Sequence, residues 1–267
     1  MGHIGIYRRI AVAALACALT SGAIVGKVAL AAPVTECTAL QFCYCVETDL
    51  RDTIRQRVAT IRAAIAEQRQ AGKAIAYISV PISTLEGSYF GVNIEAAAAI
   101  KQHVEAQFGA VWALNPGDKA WSLPRAAKGA DYMLMWTEVL EGAGAVAPDF
   151  DFIYFVGPSD FARFFKLDGN ADLLKIEAYY DARAQSDAEI KKIDRIKFRN
   201  YYGLRASVAF SLGAHDEWNL VRAINEKRRA MAGGGIASQL AVFFDGKPIA
   251  PALYETAIAA GNMGACK

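Results

Sequence analysis

Histidine is scarce in this chain, with 3 residues in 267, and one of them, His3, lies in the leading segment. A metal site built from several imidazoles therefore has too few ligands, and no metal is expected. No G-x-S-x-G stretch is present, which removes the serine elbow of an α/β-hydrolase. No G-x-G-x-x-G and no Walker loop is present either, so no nucleotide cofactor is expected. Gly233-Gly234-Gly235 follows a helical stretch rather than a strand and reads as a stop. An excess of one charge is missing too. The net charge is +2, and setting aside Arg8, Arg9 and Lys27 leaves 26 bases against 27 acids. A nearly neutral body has no electrostatic reason to bind nucleic acid.

Long apolar runs are few. The run Ile10–Val25 falls short of the roughly 20 residues that span a bilayer. Arg8-Arg9 precedes it, and Ala29-Leu30-Ala31 follows with the small-x-small pattern of a cleavage site. Residues 1–31 are therefore expected to be a cleaved signal peptide, with cleavage after Ala31. That leaves no membrane span and places residues 32–267 in the periplasm or outside the cell. Cys17 would leave with the signal, and Cys37, Cys43, Cys45 and Cys266 would remain. An even number of cysteines in an oxidising compartment implies disulfides. Cys43 and Cys45 are too close in sequence to bridge each other easily. Cys266 is thus expected to pair with Cys43 or Cys45, and Cys37 with the other. Zinc at these cysteines is the rival, with no histidine nearby.

What is present is apolar surface in regular patterns. Hydrophobic residues make up 54% of the chain, enough for a sizeable core. From Thr48 to Ala71, Ile54, Val58, Ile61 and Ile65 recur at helical spacing, and five arginines lie off that stripe. The run AIAYISV reads as a buried strand ending at Pro81. Asn93 then stands where a helix through Phe108 would be capped. AVWAL (110–114) and DFIYFVG (151–157) read as further strands, with a helix between them at 130–141. Helices fill 161–205, another runs from Asp216 to Met231, and QLAVFFDG (239–246) is a last strand. Strands alternating with helices predict one α/β domain over 32–267. Its parallel sheet would be flanked by helices on both faces, in the flavodoxin-like, doubly wound manner, with a helical insertion at about 161–205.

In such sheets ligands gather at the carboxyl ends of the strands. Three loops begin there, carrying Ser83, Asp118 and Asp160. A fourth stretch, Phe210–Leu220, sets His215, Asp216 and Glu217 just after Gly213. Gly213 would allow a tight turn or a close approach to a ligand. Glu217 would lie in the first turn of a helix, whose positive end favours an ionised carboxylate. An oriented, ionised glutamate suits a nucleophile or general base, with His215 and Asp216 orienting it or handling a proton. The structural alternative is that Asp216 or Ser211 merely caps the helix.

The order of these pieces resembles the nucleoside 2-deoxyribosyltransferase-like proteins. The resemblance rests on YISVPIS followed by the Asn93 helix, on Asn115-Pro116 after the second strand, and on the glycine-x3-glutamate spacing of Gly213 and Glu217. The chain departs from the family pattern at Val80, where a glycine is usual, and at Ala214, where a threonine is. The resemblance implies that Glu217 attacks the anomeric carbon of a nucleoside-like N-glycoside and that Asp160 contacts the departing base. The ligand would then be a small sugar or nucleoside bound among Ser83, Asn93, Asp118, Asp160 and Gly213. The other expectation is a non-catalytic periplasmic ligand-binding or protein-interaction module.

Overall fold

The computed structural model describes residues 32–82, 85–233, 238–250 and 257–267. Two short strands, β1 (Val34–Cys37) and β2 (Cys43–Val46), form an antiparallel hairpin in which Cys37 stands opposite Cys43. That register joins Cys37 to Cys43 and leaves Cys45 to bond Cys266. Of the two pairings open for Cys266, the structure takes the one with Cys45. The proposed signal segment, residues 1–31, lies outside the described residues.

Helix α1 (Arg51–Gln70) buries Ile54, Val58, Ile61 and Ile65, the stripe its spacing predicts. Its arginines are engaged rather than simply solvated. Arg57, Arg62 and Arg69 donate to the backbone oxygens of Ala120, Glu138 and Asp149. Arg69 also pairs with Asp151, Arg51 with Glu36 and Arg55 with Asp52. Three of the five therefore staple α1 to its neighbours by hydrogen bonds.

Strand β3 (Ala74–Ser79) follows, then α2 (Phe90–Phe108), β4 (Val111–Leu114) and α3 (Gly129–Glu141). Strand β5 (Phe152–Phe155) leads to three helices, α4 (Pro158–Phe164), α5 (Asp172–Arg183) and α6 (Arg195–Leu204). Helix α7 (Leu212–Met231) precedes β6 (Ala241–Phe244), which turns at Asp245-Gly246 into β7 (Lys247–Pro248). The strand order is β4-β3-β5-β6-β7, with the first four parallel and β7 antiparallel.

Alternate residues of β3 face opposite sides of the sheet. On one side Tyr77 meets Trp136 of α3, and Phe155, level with Ser79, meets Trp218 of α7. On the other, Phe152, level with Ala76, meets Phe108 of α2. Helices thus cover both faces of an α/β sheet, as the alternating pattern predicts. Among the described residues no helix is long and apolar enough to cross a membrane.

Two helix starts differ from expectation. Helix α2 begins at Phe90, so Asn93 is a buried residue inside its first turn and not a cap. The Tyr202 hydroxyl occupies both groups there, accepting from the Tyr89 N–H at 3.0 Å and donating to Asn93 Oδ1 at 2.6 Å. Helix α7 begins at Leu212, four residues before Asp216. Ser211 caps it by accepting from the Ala214 N–H.

Candidate functional site

Glu217 is an acid that the fold brings onto side chains of β3. One carboxyl oxygen accepts from the Tyr77 hydroxyl and the other from the Ser79 hydroxyl. Tyr77 and Ser79 are two apart on β3 and point to the same face, so one carboxyl can take both. Only 5% of Glu217 is exposed. Burial pushes its pKa up to about 7, the two hydroxyls pull the other way, and the Asp216 carboxylate adds to the rise. Burial and the Glu217 charge likewise push the Tyr77 phenol up, so it stays a donor.

This corrects the expectation of a carboxylate kept ionised by a helix end. Because α7 starts at Leu212, Glu217 lies in its second turn, and no acid occupies the first. Desolvation outweighs the helix field, which fades beyond the first turn. Near neutral pH both forms of the carboxyl are populated.

Beside Glu217 lies a cavity of about 530 Å3. Val80 and Ile82, just past β3, and Pro116 and Gly117, just past β4, form one wall. Tyr132, Met133 and Trp136 of α3 face it, and Phe90 and Ile94 of α2 supply further apolar surface. Gly129 and Gly213 bring the starts of α3 and α7 to the same space. The positive ends of α2, α3 and α7 therefore meet here, in a field that favours negative charge. Among the described residues the charged side chains in the wall are Glu217 and Lys128, and the Lys128 ammonium is paired with Glu47.

The other expected site residues divide. Gly213 lines the cavity, but as the second residue of α7 and not as a tight turn. Asp216, adjacent to Glu217, turns elsewhere and accepts the N–H groups of Gly261 and Asn262 at 2.8 and 2.6 Å. Burial raises its pKa, opposed by those N–H groups. His215 makes a 2.9 Å hydrogen bond between Nε2 and the Ala209 oxygen and does not line the cavity. Asp118 is exposed and caps a short 3-10 turn by accepting the Ala120 N–H. Asp160 is buried and fixes the start of α4, accepting from Gly157 N–H, the Tyr154 hydroxyl and Arg163. Neither Asp118, Asp160 nor Asn93 lines the cavity, because local backbone or buried partners hold each of them. Ser83 lies outside the described residues. Of the three strand-end loops, the first two border the cavity and the third does not.

Three residues of the site escape a reading of the sequence. Tyr77 and Ser79 look like parts of an apolar strand, and their one signal is a pair of hydroxyls two residues apart. Asn262 lines the cavity from a segment with no regular structure, and nothing local marks it. Among the described residues no group of three or more His, Cys, Asp or Glu is placed to hold a metal ion. No protein-family model, curated protein or solved structure matches the chain.

Proposed function

We propose that this chain is an exported enzyme acting on an N-glycosidic, nucleoside-like bond, with Glu217 as the nucleophile. The observation that carries the reading is the Glu217 carboxyl, held on both oxygens by Tyr77 and Ser79 beside a cavity of about 530 Å3. A Glu217 oxygen attacks the anomeric carbon while the carbon–nitrogen bond breaks and its electron pair leaves with the base. Water then attacks the same carbon and restores the carboxylate, or a second base does so in a transfer reaction. The transition state resembles an oxocarbenium ion. Negative charge develops on the departing base, and the three helix starts suit that charge. We read the sheet as the doubly wound, flavodoxin-like type with α4–α6 as a helical insertion, supported by the order β4-β3-β5-β6. The two disulfides support export, since such bonds persist in oxidising compartments.

The nucleophile must be ionised. With its pKa pushed up to about 7, kcat/KM should rise about tenfold per pH unit on the acid side and level off above neutrality. The test is base release from a panel of ribo- and deoxyribonucleosides, followed chromatographically. Activity lost in Glu217→Gln, with a sugar adduct trapped on Glu217 by a slow 2-fluoro substrate, is the expected result. One observation favours a non-catalytic ligand-binding module: among the described residues Glu217 is the sole acid in the cavity wall. That reading takes over if no nucleoside turns over while a nucleoside still raises the melting temperature of both the wild type and Glu217→Gln.

A further inference from the structure

We propose that Ile258–Cys266 is a strap latched by the Cys45–Cys266 bond, and that the cavity beside Glu217 is closed on that side only in the oxidised protein.

The strap begins at α7. The Asn219 side chain donates to the Ile258 oxygen at 2.9 Å and accepts the Ile258 N–H at 3.0 Å. Asp216 then takes the Gly261 and Asn262 N–H groups. These two anchors lie on either side of Glu217 in sequence, so the strap and the candidate nucleophile share one stretch of helix. Gly261 passes so near the Leu212 backbone that an added Cβ would sit 1.9 Å from its oxygen. The Asn262 side chain rests on the start of α3, where a Cβ on Gly129 would meet its Oδ1 at 2.5 Å. From there it enters the cavity wall. The strap ends at the β1–β2 hairpin. Gly264 N–H donates to the Cys43 oxygen at 2.8 Å, Cys266 N–H donates to Thr35 Oγ1 at 2.9 Å, and the disulfide closes the connection.

Little else holds it. None of residues 257–267 is fully buried, and Met263 packs half-buried against the core, so the strap contributes only modest hydrophobic burial. Beyond that contact it depends on a few hydrogen bonds and one covalent link. Segments with few buried contacts open at low free-energy cost, and an S–S bond removes most of that freedom. In the reduced chain Cys45 and Cys266 are two thiols. Latching passes two electrons from them to the disulfide of a thiol–disulfide oxidoreductase, which becomes a dithiol, with two protons carried along. A dithiol reverses the step. The site is therefore incomplete while the chain is in a reducing compartment and assembles on oxidation. This inference rests on the reading of the cavity as the functional site, but its test needs no turnover.

The probe is dicyclohexylcarbodiimide, an apolar reagent that adds to protonated, desolvated carboxyls and remains attached as an N-acylurea. Labelling of Glu217 is followed by peptide mass spectrometry at neutral pH in the full oxidised chain, in Cys45→Ser/Cys266→Ser and in Cys37→Ser/Cys43→Ser. Hydrogen exchange over 258–264 is measured on the same samples. Opening of the strap should raise both rates about tenfold in the first variant and less than about twofold in the second. Wild-type protein reduced with dithiothreitol under native conditions should show the same rise, and re-oxidation should reverse it. This arm decides the matter if the variant fails to fold. Equal rates in the oxidised and reduced wild type overturn the latch. A silent nucleoside panel would instead count against the enzyme reading and leave the latch standing.

Discussion

Replacing Glu217 by glutamine should remove a pH-dependent part of the stability, and the change in sign of the stability difference can be sized from the structure. An unfolded glutamate titrates near ~4.3, whereas burial holds the folded Glu217 at about 7. The folded pKa is the higher one, so the native state binds this proton more tightly than the unfolded chain does. The stabilisation is complete below about pH 4 and is lost as pH rises through about 7. Roughly 2.7 units at ~1.36 kcal/mol each give about 3 to 4 kcal/mol over that window. Glutamine does not titrate, yet its amide can accept from one hydroxyl and donate to the other. Its replacement cost in acid should be about 1 kcal/mol. The variant should therefore be slightly less stable than wild type near pH 4 and about 2 to 3 kcal/mol more stable near pH 8. Guanidinium unfolding of both proteins at unit steps across that range gives the difference curve. Asp216 titrates in both and largely cancels. A flat difference curve, or one sloping the other way, would show that Glu217 is an ordinary solvated carboxylate and would remove the physical basis of the site.

Other perturbations probe the same construction. Tyr77→Phe deletes a hydroxyl that favours the charged carboxyl, a bond worth about 1.5 to 3 kcal/mol. The midpoint of carbodiimide labelling at Glu217 should then move to higher pH, and an unchanged midpoint would count against that bond. Cys45→Ser/Cys266→Ser opens a loop of 221 residues and Cys37→Ser/Cys43→Ser one of 6. Chain entropy assigns them costs of about 5 and 2 kcal/mol, so guanidinium midpoints should fall more for the first pair. Equal falls would contradict the entropic account. Gly261→Ala places a Cβ against the Leu212 carbonyl and should speed hydrogen exchange across 258–264 without altering exchange in β3. Protection equal to wild type would mean that the strap does not pass so closely.

The parts of this fold legible in the sequence are those decided by neighbours in the chain. The α1 stripe, the apolar strands and the even cysteine count belong to that class. The misplaced features were decided far away. Asn93 looks like a cap because asparagine caps helices, yet its partner, Tyr202, lies 109 residues on. Asp216 looks like a helix start, yet it is committed to amides 45 and 46 residues later, which leaves the capping to Ser211. The partners of Glu217 lie 140 and 138 residues before it. Even so, one half of that contact could be anticipated. A strand buried on both faces of a parallel sheet is normally all apolar. Two hydroxyls at i and i+2 in such a strand share a face, and each needs a partner there. Carboxyls, amides and guanidinium groups are the side chains with two termini able to satisfy both at once. The pattern Tyr77-x-Ser79 thus implies an acid, amide or arginine arriving from a helix on that face, before any helix is chosen. Of the helices on that face, α7 supplies Glu217.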